Sequence, residues 1–304
     1  MWPLFSPFYH HFCLGRTTDV MRNDCDLPEE VIGALTYHYG DIGAPPGRNP
    51  IFMQALLENH YHGGGFFPKG GSSAIAKTIV AAIKRQGGQA FALSKVQTIL
   101  TEKTWTGSHR AVGVRIHGVD IKVKRCVISD AGFSNTFGYY QNESVPLVAN
   151  PDARALQVSY LEKFGEGSVA PSAAFFLLAI GLDCTDEELD LKAQNLWHLQ
   201  DWNHDEYFRK ILHEKEWNNK DIPFVFISNE SAKDPDYNKR HPSKSTITAI
   251  AIGNYDWFKP WLNTSHHHRA KEYEEMKLNF TECMLDIVYK HYPQIYKHGK
   301  ICFT

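Results

Sequence analysis

His60-Tyr61-His62-Gly63-Gly64-Gly65-Phe66-Phe67-Pro68-Lys69-Gly70-Gly71-Ser72-Ser73-Ala74-Ile75-Ala76 turns an aromatic, glycine-rich loop directly into an amphipathic helix. Glycines let the main chain approach a ligand closely, and the serines suit a helix cap. First-turn amides then favour an anion or an electron-rich ring edge. The same stretch also reads as a tight turn and cap with no ligand. Gly65 to Ser72 has the outline of a P-loop, but Gly71 stands where the phosphate-binding lysine belongs. The preceding Glu58-Asn59-His60-Tyr61-His62 is no buried strand.

Outward from this loop, Leu27-Pro28-Glu29-Glu30 opens a short helix through Leu35, and Pro45-Pro46-Gly47 breaks the chain before a second helix from Asn49 through Leu57. Ser73 to Gln86 follows as a helix with Ile75, Ile79, Ala82 and Ile83 on one stripe and Gly87-Gly88 as its stop. The period then changes. Ala90–Leu93, Val96–Leu100, Ala111–Ile116 and Val119–Ile128 alternate around turns at Thr106-Gly107-Ser108 and His117-Gly118, which predicts a β-meander. Val127 to Gly132 reads as a buried strand entering a polar turn, a common place for a ligand contact.

Beyond Val169 strands and helices alternate: a buried strand at 173–180, helices at 186–191 and 205–213, and strands at 222–228 and 246–252. A tryptophan-rich segment, Tyr255 to Trp261, leads to a long helix from Ala270 to about Tyr292. Its Tyr273, Met276, Phe280, Met284, Ile287 and Val288 form one core-facing stripe, and Pro293 ends it. The pattern predicts an α/β architecture with a helix-rich region, connected through Gly132 to Pro171.

With 304 residues, 43% of them hydrophobic, the chain can bury a core as one large domain or two of ordinary size. A net charge of −2 with interleaved signs provides no basic face for nucleic acid. The six cysteines show neither CxxC pairs nor zinc spacing, and the His266-His267-His268 run reads as a solvated loop. No apolar run reaches bilayer length, and the first ten residues lack a basic signal-peptide start. Sequons at Asn142, Asn229, Asn263 and Asn279 matter only in a lumen. No GxSxG, HExxH or GxGxxG announces a nucleophile, a metal or a dinucleotide. His60, His62 and His117 read as surface or structural histidines, and Ser231 to Asp236 as solvated turn residues.

The run Gln54 to Tyr61 into Gly64-Gly65-Phe66-Phe67-Pro68-Lys69-Gly70-Gly71-Ser72-Ser73 strongly resembles the retinol saturases, flavoproteins of the phytoene desaturase and carotenoid isomerase superfamily. Gln86-Gly87-Gly88-Gln89-Ala90, Val96 to Leu100, Ala111 to Val114 and Val127 to Gly132 are similar to that family's meander in order. Ser231-Ala232-Lys233-Asp234-Pro235 and Tyr255-Asp256-Trp257-Phe258 are similar to its later segments. The resemblance runs from about Phe5 to the end and is weakest from Glu143 to Val169.

It implies a partial FAD-binding fold, amine-oxidase-like and Rossmann-related, with a β-meander, plus a substrate domain of antiparallel sheet and helices. The implied divisions are 1–65 as a helical part of the substrate domain, 66–135 as a partial FAD-binding domain and 136–304 as the substrate domain. It places FAD at Gly70, Gly71, Val96, Ala131 and Gly132, and a retinoid or carotenoid against His60, Tyr61, Phe66 and Phe67. NAD(P)H enters as an electron donor, and residence is at the endoplasmic reticulum membrane. The implied reaction saturates or isomerises a conjugated double bond, and no catalytic residue is identified. The family's opening GxGxxG and closing flavin segment have no counterpart here, so the expectation is a fragment truncated at both ends. Its alternative is a catalytically inactive lipid-binding or interaction protein.

Overall fold

The structure is a computed structural model and describes residues 7, 9–138, 146–148, 150–164, 173–214, 222–262, 264, 269–298 and 301–303. In chain order the elements are α1 (Thr17–Asn23), α2 (Glu29–Leu35), α3 (Ile51–His62), α4 (Ser73–Arg85), β1 (Val96–Lys103), β2 (His109–Ile116), β3 (Val119–Lys122), α5 (Phe133–Phe137) and α6 (Pro151–Phe164). They continue as β4 (Ala174–Leu182), β5 (Asn195–Leu199), α7 (His204–His213), β6 (Phe224–Ser228), α8 (Glu230–Lys233), α9 (Tyr237–Arg240), β7 (Ser245–Gly253), α10 (Lys271–His291), α11 (Pro293–His298) and β8 (Ile301–Phe303). The helices and antiparallel strands fall into two compact units, one of residues 1–78 with 172–304 and the other of 79–171.

The larger unit is built on a five-stranded antiparallel sheet in the order β5-β6-β7-β4-β8. Side chains alternate between faces along each strand. One face carries Phe176, Leu178, Ile180 and Leu182 of β4 beside Ala251, Ala249, Ile247 and Ser245 of β7, with Val225 and Ile227 of β6 in register. On α10, Phe280, Met284 and Val288 recur every fourth residue, are buried, and join the same core. Phe280 stacks on Phe176 with ring centroids 3.5 Å apart.

The smaller unit carries the meander β1-β2-β3, antiparallel throughout, and the turns expected at Gly107 and Gly118 both have positive φ. Two of the four expected strands change, whereas β1 and β2 run longer than the periodicity suggests. Ala90–Leu93 is not a strand, and Leu93 has φ 54° and is 98% exposed. The third strand stops at Lys122. The Val127–Asp130 stretch pairs with no strand among the described residues, so Ile128 is 90% exposed rather than buried.

Two further expectations change in the larger unit. At 186–191 a capping box forms, with Thr185 Oγ1 accepting from Glu188 N and Glu188 Oε2 accepting from Thr185 N. Asp190 then adopts φ 50°, and the stretch stays a turn without becoming a helix. The apolar run at 173–180 is half exposed, because Phe175 and Leu177 face away from the core. Strand β5 and helices α1 and α6 have no counterpart in the sequence reading; their apolar patterns are short or mixed. The sequons at Asn142 and Asn263 and the run 266–268 lie outside the described residues. Asn229 is wholly buried, its Nδ2 donating to the Lys192 carbonyl at 3.0 Å, so the folded chain shields that sequon.

Candidate ligand site on the sheet

Registers place Phe175 and Leu177 of β4, Ile250 of β7, Phe226 of β6 and Trp197 of β5 together on the second face of the five-stranded sheet. Among the described residues no helix covers its middle, where Phe175 and Leu177 stay exposed. A concavity of about 330 Å³ results, lined by these residues with Phe224, Gly40 and Asp41. Phe175 and Leu177 are 52% and 66% exposed within it. Volume and apolar lining suit a small hydrophobic ligand. Gly40 closes one end tightly: a Cβ there would stand 3.0 Å from both Phe224 and Trp197, so a ring would have to give way by a few tenths of an ångström.

Each end carries a polar group. At the Gly40 end, Tyr61 Oη donates to Asp41 Oδ2 at 2.8 Å, and burial together with that carboxylate pushes the Tyr61 phenol up to about 12. At the other, the same face continues from Phe226 and Trp197 to their strand neighbours Ser228 and Asn195. Lys233 donates to Ser228 Oγ at 2.5 Å and to Asn195 Oδ1, and its Nζ lies 5.9 Å from the Phe67 ring centroid. Burial pushes the Lys233 amine down, which Glu230 only partly offsets.

The glycine-rich loop is held to the loop after α8. Pro68 to Gly71 forms a turn closed by Gly71 N donating to the Pro68 carbonyl at 2.9 Å, with Gly70 at φ 92° as its third position requires. Gly70 N donates to Asp234 Oδ2 at 2.7 Å, Arg240 donates to the same oxygen at 2.6 Å, and Lys69 pairs with Asp236 at 2.5 Å. Asp234 is 4% exposed and Ser231 2%, which corrects the reading of 231–236 as solvated turn residues. Arg240 holds the Asp234 carboxyl below its ordinary range; Lys239 and Lys69 hold Asp236 down to about 2.

Of the polyene-facing residues expected from the sequence, Tyr61 meets the concavity through its bond to Asp41, and Phe67 lies against Lys233 beside the strand neighbours of Phe226 and Trp197. His60 is exposed at the end of α3 with its ring 5.0 Å from Tyr61, and Phe66 is 94% exposed. Gly70 and Gly71 belong to the larger unit; Val96, Ala131 and Gly132 belong to the smaller. Nothing stands within 4 Å of a Cβ position at Gly71 or Gly132, so both leave the main chain open to close approach, whereas the Gly70 amide is already committed to Asp234. For a flavin dinucleotide this fits packing against open backbone, not amide donation at Gly70 and Gly71. Val96 is half-buried at the start of β1, paired with Ile116. Gly132 borders a separate cavity of about 620 Å³ within the smaller unit, with Ile99, Ala111, Ser129 and Leu156.

The sequence reading missed Phe175, Leu177, Trp197 and Phe226, although the 173–180 run carried the signal: every second residue of an apolar strand needs its own cover. It also missed Lys233 and Asp234, which sit inside the quoted Ser231-Ala232-Lys233-Asp234-Pro235 motif. Among the described residues no cluster of three or more side chains could hold a metal, and no helix is long and apolar enough to cross a membrane.

Fold and site together define a mixed helix and antiparallel-sheet protein with an amphiphilic cleft on its larger sheet. Its relatives are more particular. The chain is 31% identical over 283 residues to an all-trans-retinol 13,14-reductase of Danio rerio, covering 91% of this chain and 44% of that protein. It is 31% identical over 301 residues to the Homo sapiens protein of the same name, covering 98% of this chain and 46% of that one. An "Inactive all-trans-retinol 13,14-reductase" of Danio rerio is 27% identical over 255 residues, covering 83% of this chain and 40% of the relative. No family model matches. The chain is thus retinol saturase-like along nearly its whole length, and it spans about half the length of the curated relatives it matches.

Proposed function

We propose that the chain is part of an FAD-dependent oxidoreductase that saturates or isomerises a conjugated double bond of a retinoid or carotenoid, with NAD(P)H as donor, at the endoplasmic reticulum membrane. The observation that carries this reading is an apolar concavity with polar ends in a chain whose relatives are named for acting on retinol. The polyene lies along Phe175, Leu177, Phe226 and Trp197, with Tyr61 and Phe67 at the two ends and His60 and Phe66 nearby. Gly70, Gly71, Val96, Ala131 and Gly132 would hold FAD by packing against open or extended backbone. When bound, the flavin supplies hydride chemistry that side chains cannot, and the chain's own groups bind, orient and exclude water.

A second reading is a polyene-binding protein without turnover. It is favoured by the inactive relative and by the Gly70 amide already being committed to Asp234. The full chain, purified and given FAD, NAD(P)H and all-trans-retinol, separates the two. Flavin-coloured protein and a new product, either heavier by two hydrogens or an isomer of equal mass, support the enzyme. Retinol uptake by colourless protein with no new product supports the second reading, and failure to take up any polyene sinks both.

A further inference from the structure

Half-buried Lys233, the last residue of α8, reaches the ligand-bearing sheet face through Ser228 and Asn195 and has no ion pair among the described residues. Its ammonium has three N–H donors and no acceptor. Ser228 Oγ and Asn195 Oδ1 take two of them, and the Phe67 ring centroid lies 5.9 Å from the Nζ. Glu230, three residues earlier in α8, attracts the charge, but no carboxylate forms an ion pair with Lys233 among the described residues. Burial of an unpaired cation is costly, so a ligand that brings an anion to it gains what the fold leaves unused.

The placement gives this charge a direction. Asn195 and Ser228 are cross-strand partners, as are Trp197 and Phe226 one step along the same face. From Phe224 to Ser228 the strand makes four residue steps, about 14 Å at ~3.4 Å per step. The face is therefore a strip that starts at Asp41 and Tyr61, runs over aromatic and aliphatic side chains, and ends at a cation. A carboxylate at the Asp41 end meets a like charge; at the Lys233 end it meets an ammonium. We infer that Lys233 is the residue that selects and orients the ligand, and that the site takes a long apolar polyene carrying an acceptor oxygen at one end, with a carboxylate preferred over a hydroxyl and a hydroxyl over a plain hydrocarbon end.

This inference rests on the proposed polyene-binding role of the same face. Its test is quenching of tryptophan fluorescence by all-trans-retinoic acid, all-trans-retinol and β-carotene, with the full-length chain and its Lys233→Gln and Lys233→Arg variants. The unaltered chain is expected to bind the acid about tenfold tighter than the alcohol. Lys233→Gln should remove most of that preference while leaving β-carotene unchanged, and Lys233→Arg should keep it. Because the variants could fold poorly, salt provides a second reading on the unaltered chain: added NaCl should weaken the acid and spare β-carotene. Polyene binding with no preference for the acid, with no effect of salt, or with equal losses for all three ligands in well-folded Lys233→Gln overturns the inference and leaves the site standing. No binding of any polyene to the unaltered chain overturns both.

Discussion

The backbone amide of Gly70 donates to the carboxylate of Asp234 at 2.7 Å, joining positions 164 residues apart in the chain. The turn amide expected to await an external anion already holds an internal one, shared with Arg240. Asp234→Asn weakens both bonds and leaves the Arg240 guanidinium without its partner. The variant should melt at a lower temperature and be cut faster by protease between Gly63 and Ser72. Equal protease resistance would show that the loop is held by other contacts.

Acid and near-neutral pH should act through different groups. His204 is buried with Nε2 2.9 Å from the Gly33 carbonyl, and His198 and His291 lie 3.0 Å apart, nitrogen to nitrogen; burial lowers all three, and His291 further lowers His198. A histidine whose folded value is depressed leaves the unfolded chain binding more protons. Stability should therefore fall as pH drops below the ordinary histidine value near 6.5, in urea melts between pH 7.5 and 5. Asp234 and Asp236 are depressed carboxylates, so their contribution persists through that window and is lost only at lower pH, for Asp236 down to about 2.

Phe280 is 1% exposed and stacked on Phe176 in the core. Phe280→Ala should cost about 3–5 kcal/mol by removing buried surface and leaving a cavity. Chemical denaturation checks it, and a loss under ~1 kcal/mol would mean that the core around α10 collapses to fill the space.

Leu177, on the opposite face, behaves differently because it is 66% exposed. Leu177→Ser should change stability by only ~0.5 kcal/mol. The same substitution should weaken uptake of all-trans-retinol severalfold, measured by fluorescence titration. A large stability loss with unchanged uptake would place the residue in the core instead.

Long periodic elements are legible in the sequence. The α10 stripe, strands β4, β6 and β7, and the helix after the glycine-rich loop are strong enough in local pattern that tertiary contacts only move their ends by one or two residues. The Val127–Asp130 stretch failed because a strand needs a partner, which alternation cannot supply. The 186–191 helix failed because one residue with positive φ stops a turn that the capping signals had begun.

The sequence by itself determined the kinship, the antiparallel meander, the core-facing stripe of α10 and the importance of the Pro68–Gly71 turn, because these rest on motifs and on periods of two or 3.6 residues. Only the tertiary structure decided that Asp234 occupies the Gly70 amide, that Phe175 and Leu177 remain open on one sheet face, and that Lys233 stands at the end of that face. Each depends on strand register and on contacts between residues far apart in the chain, and neither quantity is written in any local window of sequence.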